Sequence, residues 1–508
     1  MLDILIIGFQ TAFSWNYLLY AFVGVFLGNL IGVLPGIGAL AAISMLLPVT
    51  YGLDPTGGIL MLAGLYYGTS FGGATTSILL NLPGTASHAV VCVDGNPMAL
   101  QGRGGAAIFM AMFASFLGVL LGIVLMVFFS PMLTDMAFLF GPAEYFALMV
   151  MGLLAASALT AGSPVKGIAS VVIGLLFGVV GMDVNTGVAR FDYGIPELQD
   201  GLALVALVMG LFGISDVLKN AGRIGEGSLI SKKVDSQSIR PAKGEVRQSM
   251  GAIGRGAGIG SVLGILPGAG GTMASFMSYA MEKKVAKEPG RFGKGAIEGV
   301  AGPEAANSSA AITAFIPTLT LGIPGDAVMA LMLGALMIHN ITPGPQLMVE
   351  HPELFWGLLV SFMIGNVMLM LLNIPLIGMW VKLLSVPYRL IFPVVLFLVA
   401  IGVYSSNNNL FDVYVVLGLG IFGYIAVSLG FQPAPLLLGF VLGPMLEENF
   451  RRALLLSRGD MTTFFNRPLA GAFVTVVILM LALVVYKQLR KRSVRRGRAT
   501  NALNNGSS

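Results

Sequence analysis

Long apolar runs, each broken off by proline, glycine or a short polar stretch, set the pattern of this chain. The runs 107–128 (AIFMAMFASFLGVLLGIVLMVF), 354–382, 389–404, 411–430 and 469–486 carry few charges, and each is long enough to cross a hydrocarbon layer ~30 Å thick. Uninterrupted apolarity excludes the alternating pattern of a membrane barrel, which leaves helices as the spanning form. The pattern predicts an all-α polytopic membrane protein with about 10–13 hydrophobic segments.

Several runs are interrupted where a helix should continue. Residues 31–38 read IGVLPGIG between two uncharged flanks, NYLLYAFVGVFLGNL and ALAAISMLLPV. Nearly the same string, LGILPGAGG, returns at 263–271. A second pair follows, NLPGTA at 81–86 and GIPGDA at 322–327, and DGNP at 94–97 is answered by NITP at 340–343. The offsets are 232 (35 to 267), 241 (83 to 324) and 246 (94 to 340). Two halves therefore correspond, with an insertion around 281–295 (MEKKVAKEPGRFGKG). Two broken segments per half is a pattern of secondary transporters.

Charge gives the halves an orientation. Seven basic residues fall in 487–498, seven between Lys219 and Arg247, and five in 281–295, whereas the counterpart of the last, near 50–57, has none. Downstream the sign reverses: 94–105 holds Arg103, while 340–353 has no Lys or Arg and carries Glu350 and Glu353. Basic loops mark the cytoplasmic side, so equivalent loops prefer opposite faces and the repeats read as inverted. The expected organisation is an interfacial helix over 1–15, a first transmembrane repeat over 16–218, a cytoplasmic linker over 219–250, a second repeat over 251–486, and a basic cytoplasmic tail over 487–508. The arms 251–266 and 271–282 are too short to cross alone at 1.5 Å per residue, and both flanks are basic. A re-entrant hairpin with its LPGAGG tip near the bilayer midplane is the expectation for this unit. A scaffold is expected to include parts of 107–157 and 354–430.

Proline removes a backbone donor and glycine admits a left-handed φ, so a broken helix leaves peptide groups unpaired. In hydrocarbon each would cost several kcal/mol, which is tolerable only against protein, ion or solute. A helix N-terminus after the tip offers N–H groups to an anion, and a C-terminus before it offers carbonyls to a cation. The polar residues near these breaks are small and neutral, in YYGTSFGGATTSILLNLPGTAS (66–87) and GPEAANSSAAITAFIPTLTLGIPGDA (302–327). Hydroxyls and amides can bond a carboxylate or lend oxygens to Na⁺ without the desolvation cost of a buried cation. The expected anion-binding set is Gly36, Gly38, Asn81, Gly84, Thr85, Ser87, Gly268, Gly270, Asn307, Ser308 and Gly325. The expected cation-binding set is Pro35, Thr75, Ser77, Pro267, Ser309, Thr313 and Asp326. Asp326 stands out because its repeat counterpart is Thr85, and an ionisable group at membrane depth is functional by default; helix capping is its bland alternative. Glu304 has similar standing, with a place at the interface as its alternative. Asp183, Arg190 and Asp192, in GMDVNTGVARFDYG (181–194), read as a charged connection holding a local ion pair.

Composition narrows the function classes. The chain of 508 residues is 56% hydrophobic and 10% charged, where a soluble domain carries about a quarter charged residues. Its net charge of +5 sits at membrane edges, so it is no nucleic-acid signal. One cysteine, Cys92, and three scattered histidines (His88, His339, His351) exclude an internal disulfide and give no metal-ligand spacing. There is no phosphate loop, nucleophile elbow or zinc motif. The expectation is no enzyme and no cofactor, with transport driven by an ion gradient or a partner.

The paired LPGxG breaks, PEAANSSA followed by LGIPGDA, TPGPQL (342–347), GxDxxTGxxRF (181–191) and GPMLEENFRRAL (443–454) together resemble the large membrane subunit of the tripartite tricarboxylate transporters. The resemblance covers about residues 15–470. It implies a bacterial inner-membrane symporter that takes up organic di- and tricarboxylates such as citrate, coupled to a cation gradient, often Na⁺. Its partners would be a small four-helix membrane subunit and a periplasmic solute-binding protein. The motif positions it carries over are Pro35, Gly36, Gly38, Pro83, Gly84, Pro267, Gly268, Gly270, Asn307, Pro324 and Gly325. Two rival readings remain at this point: a passive channel or exporter, and a membrane receptor scaffold for the periplasmic protein.

Overall fold

The structure is a computed structural model that describes residues 2–34, 38–159, 163–183, 186–220, 241–266, 270–383, 388–484 and 486. It is all-α apart from a two-residue antiparallel pair, Gly181–Met182 with Ala189–Arg190. Among the described residues four helices are long and apolar enough to cross a membrane: Trp15–Val33, Val91–Ala137, Pro352–Asn373 and Leu410–Ser428. Shorter apolar helices include Ala39–Thr50, Pro142–Ala158, Pro164–Gly178, Ala327–Ile338 and Pro468–Val484.

Local chemistry sets the ends of the elements that carry the breaks. The helix Pro55–Leu80 starts with Asp54, whose carboxylate accepts from the Gly57 N–H at 2.9 Å, followed by proline at the first position. It stops where Asn81 turns left-handed (φ 57°). In the second half Phe315–Leu321 stops on Gly322 (φ 68°), 241 residues after Asn81. Each stop uses a residue that tolerates positive φ, and the chain then leaves the helix through Leu-Pro-Gly or Ile-Pro-Gly.

The repeat offsets govern packing as well as motifs. Trp15–Val33 lies on Pro55–Leu80 through Gly24, Gly28 and Gly32, where an added Cβ would strike the carbonyls of Met61, Leu65 and Thr69. Glu245–Ile265 lies on Glu298–Thr313 through Gly256, Gly260 and Gly264, against the carbonyls of Gly302, Ala306 and Ala310. Every member of the second seam is 232 or 241 residues from its partner in the first. Small residues let membrane helices approach backbone to backbone, where dispersion replaces a hydrophobic drive that lipid cannot supply. The helix Gly104–Ala137 joins the same core, with Gly118 and Gly122 set against Ala305 and Ile312. Part of the expected scaffold is thus sewn directly to the second broken unit.

Contacts also sort the helices by end. At one end Arg103 pairs with Glu245. At the other, Thr134 donates to the Met348 sulfur at 3.0 Å and Arg467 pairs with Glu144 at 2.7 Å. The N-terminal helix Leu2–Ala12 packs on the start of Pro352–Asn373, Gly8 against Trp356 and Thr11 beside Gly357. Tyr17 then reaches Asp54 at 2.8 Å. The arms of the second unit lie side by side, joined by Arg255 and Glu282 at 2.6–2.8 Å. Its first arm begins at Glu245, inside the stretch expected to be linker.

One charged connection differs from the sequence expectation. Asp183 and Arg190 form no local pair: Arg451 donates to Asp183 at 2.9–3.2 Å and Arg190 to Glu447 at 2.9–3.1 Å. Their partners lie on Pro433–Leu456, because the small β-turn folds its charged edge onto that helix end. Glu304 is buried, at 1% exposure. The inserted loop after Gly270–Val285 is held by Asp94, a fully buried carboxylate. It accepts from the Gly293, Gly295 and Ala296 N–H groups at 2.8 Å and from the Tyr279 hydroxyl at 2.9 Å. Asp94→Ala orphans all four donors and is expected to cost about 3 kcal/mol or more, read as a lowered melting temperature in detergent.

Candidate functional site

The second break of the second half sits at the meeting point of both halves. Asp326 begins the helix Ala327–Ile338, and its Oδ1 accepts from the Met329 N–H at 2.9 Å. Its Oδ2 accepts from the Tyr66 hydroxyl at 3.4 Å, across 260 residues. The same carboxylate faces the tip of the other broken unit: a Cβ on Gly270 (φ 53°) would stand 3.5 Å from Asp326 Cβ and 3.9 Å from Oδ2. One oxygen is therefore used for capping, while the other points between a phenol and a glycine turn. Asn307 closes the opposite flank, with its Oδ1 against Gly271. Its Nδ2 and the Ser308 hydroxyl are buried with no hydrogen-bond partner among the described residues. Gly325 is wedged beside the Gly264 carbonyl and Ala314, at 3.2 and 3.3 Å from an added Cβ.

The first half builds a related corner with different chemistry. Gly84 rests on Gly73 as Gly325 rests on Ala314, and its N–H reaches Ser77 Oγ at 3.3 Å. Thr85, the counterpart of Asp326, places its hydroxyl 2.7 Å from both Ser87 Oγ and His88 Nδ1. Asn81, Leu82 and Pro83 are exposed, so this corner opens to the surface, while Gly322 to Gly325 are buried. Gly38 caps Ala39–Thr50, its carbonyl accepting from the Ala42 N–H at 3.1 Å, and no atom lies within 4 Å of an added Cβ.

Several residues of the expected cation-binding set also bond to backbone. Ser77 donates to the Gly73 carbonyl at 2.8 Å, Ser309 to Ala257 at 2.8 Å, and Thr313 to Ser309 at 3.0 Å. Each donates its proton to backbone, as hydroxyls in helices commonly do, which leaves its oxygen lone pairs for a cation. Thr75 is buried within Pro55–Leu80. Pro35, Gly36, Pro267 and Gly268 lie outside the described residues. Three side chains at the centre escaped sequence reasoning: Tyr66, His88 and Ser115. Tyr66 had a usable signal, since it stands 241 residues before Asn307.

These features define a polytopic helical membrane protein whose two halves meet at buried polar contacts, Tyr66 with Asp326 and His88 beside Glu304. Residues 18–438 match the model of the tripartite tricarboxylate transporter TctA family, and the chain belongs to that family; it is a component of a tripartite membrane transporter. It is 46% identical over 486 residues, 96% of each chain, to a protein of Agrobacterium vitis described as an uncharacterized 52.8 kDa protein in the TAR-I ttuC' 3' region. Another Agrobacterium vitis protein, described as an uncharacterized protein in the TAR-II ttuC' 3' region, is 53% identical over 233 residues, covering 46% of this chain and 96% of that one. No solved structure matches the chain.

Proposed function

We propose that this chain is the translocating subunit of a bacterial inner-membrane importer of organic di- and tricarboxylates. Uptake is coupled to a cation gradient, Na⁺ favoured with H⁺ as the alternative. A small four-helix membrane subunit and a periplasmic solute-binding protein complete it. The observation that carries this reading is Asp326 held between Tyr66 and Gly270, an ionisable oxygen aimed at a broken-helix tip where membrane-buried charge is otherwise expensive. The carboxylate of the substrate is assigned to tip N–H groups and to Thr85, Ser87, Asn307 and Ser308; the coupling cation is assigned to Asp326 and tip carbonyls.

Contact geometry supports the inverted repeat. The first unit has its base where Tyr17 meets Asp54, at the end marked by Trp356 and Met348. The second has its base beside Arg103 and Glu245, at the other end of Gly104–Ala137. The described helix ends that border the basic stretches fall on one side: Glu245, and Val484 of Pro468–Val484, which starts at the opposite, Arg467–Glu144 end. That side reads as cytoplasmic.

The test is reconstituted uptake by the subunit, its small partner and its binding protein, screened over organic acids with and without Na⁺. Saturable uptake that needs both the gradient and the binding protein is expected. Uptake indifferent to both overturns the reading.

A further inference from the structure

We propose that His88 and Glu304 jointly bind one proton at the contact between the two halves, and that this proton is taken up and released as the transporter works. His88 lies on the 3-10 turn Ala86–Ala89, just after the first-half break. Glu304 lies on Glu298–Thr313, three residues before Asn307. His88 Nε2 and Glu304 Oε1 face each other at 3.6 Å, with side chains 1% and 2% exposed. Neither atom has a hydrogen-bond partner among the described residues. The other atom of each group is fixed: Nδ1 is 2.7 Å from Thr85 Oγ1, and Oε2 accepts from Ser115 at 3.1 Å. Two unmet valences, one from each half, therefore point only at one another.

A single additional proton resolves this arrangement. Neutral histidine with carboxylate leaves a buried net negative charge, and with the ring proton on Nδ1 it sets two lone pairs face to face. With the proton added the pair is neutral overall, and one N···H···O bond satisfies both atoms. Their separation exceeds an ordinary hydrogen bond by roughly 0.6 Å, so loading draws the two halves together at this point. Two donors are too few for a metal ion, and no group of three His, Cys, Asp or Glu suited to one exists among the described residues.

The neighbouring titratable groups are otherwise engaged. Asp94 holds the inserted loop and Tyr279; Glu282 on the facing helix holds Arg255; Tyr66 on Pro55–Leu80 points to Asp326. Cys92 is the remaining one among the described residues, in electrostatic reach of Glu304. Gly104–Ala137 contributes Ser115.

Thr85 ties the pair to the substrate, and this link rests on the carboxylate reading of Thr85. A hydroxyl that donates to a bound carboxylate must accept from His88 Nδ1–H. The ring nitrogen left bare is then Nε2, which favours the protonated form of Glu304. Substrate binding thereby recruits the proton, which is the sign a symporter requires.

Infrared difference spectra of the full chain through a pH titration test the site. The wild type is expected to show the carbonyl band of a buried carboxylic acid that forms on acidification. Glu304→Gln lacks it, and His88→Gln moves its midpoint by about one pH unit or more. A Glu304→Gln spectrum identical to wild type overturns the proposal. A pH indicator in weakly buffered solution gives a second readout that needs no variant. The wild type takes up about one proton on binding its organic acid, and no uptake overturns the coupling. Failure of the wild type to carry any organic acid would sink the transport reading alone, since the infrared result does not depend on it.

Discussion

Asp326→Asn is expected to leave the protein folded and to cut uptake by roughly 30- to 150-fold, the loss of about 2–3 kcal/mol from one charged ligand. The two effects separate because the side chain does two things. Its Oδ1 caps Ala327–Ile338 through the Met329 N–H, and asparagine caps a helix as well as aspartate does. Its Oδ2, faced by Tyr66 and Gly270, is the group whose charge is lost. Melting temperature in detergent is expected to stay near wild type while Na⁺-stimulated uptake collapses. Uptake within twofold of wild type would reduce Asp326 to a capping residue.

The next largest effect belongs to the glycine seams. Gly260→Val puts a branched side chain into the Ala306 carbonyl and the Ser309 hydroxyl, a backbone contact that no rotamer relieves. Overpacking of this kind costs typically 1–3 kcal/mol and more where backbone must move, so little folded protein is expected from detergent extracts. Gly258, on the same helix Glu245–Ile265, has no atom within 4 Å of an added Cβ. Gly258→Ala is therefore expected to be neutral or to stabilise by up to about 1 kcal/mol through helix propensity. Thermal melts of the two variants side by side check the difference. Equal behaviour would mean that glycine content rather than close approach sets stability here.

Helix content and the two repeat offsets were legible because period and punctuation are sequence properties. The 232- and 241-residue spacings found in LPG and PGT/PGD strings reappear in Gly24/Gly256 and in Met61/Gly302. Asp326 was legible for a different reason: a lone carboxylate in an apolar context has to answer for its desolvation. Hydroxyl direction was not legible. Ser309 and Thr313 donate to backbone carbonyls, a direction that their spacing does not encode. The Asp183–Arg451 and Arg190–Glu447 pairs bridge 268 and 257 residues, a distance that local charge reading cannot see. His88 was passed over as one of three scattered histidines; its meaning depends on Glu304, which only the tertiary fold brings near.

Cysteine labelling tests the central claim, that interrupted helices from both halves enclose the path of the solute. In a Cys92→Ser background, Asn81→Cys and Thr272→Cys place thiols at exposed positions beside the two breaks. Tyr193→Cys, exposed in the polar connection after Ala189–Arg190, serves as control. A membrane-impermeant maleimide is expected to label both break positions, and the transported organic acid with Na⁺ is expected to slow that labelling roughly tenfold while leaving the control unchanged, as burial beneath a bound solute demands. Break positions that stay silent to the reagent, or react at the same rate with and without solute, would contradict it.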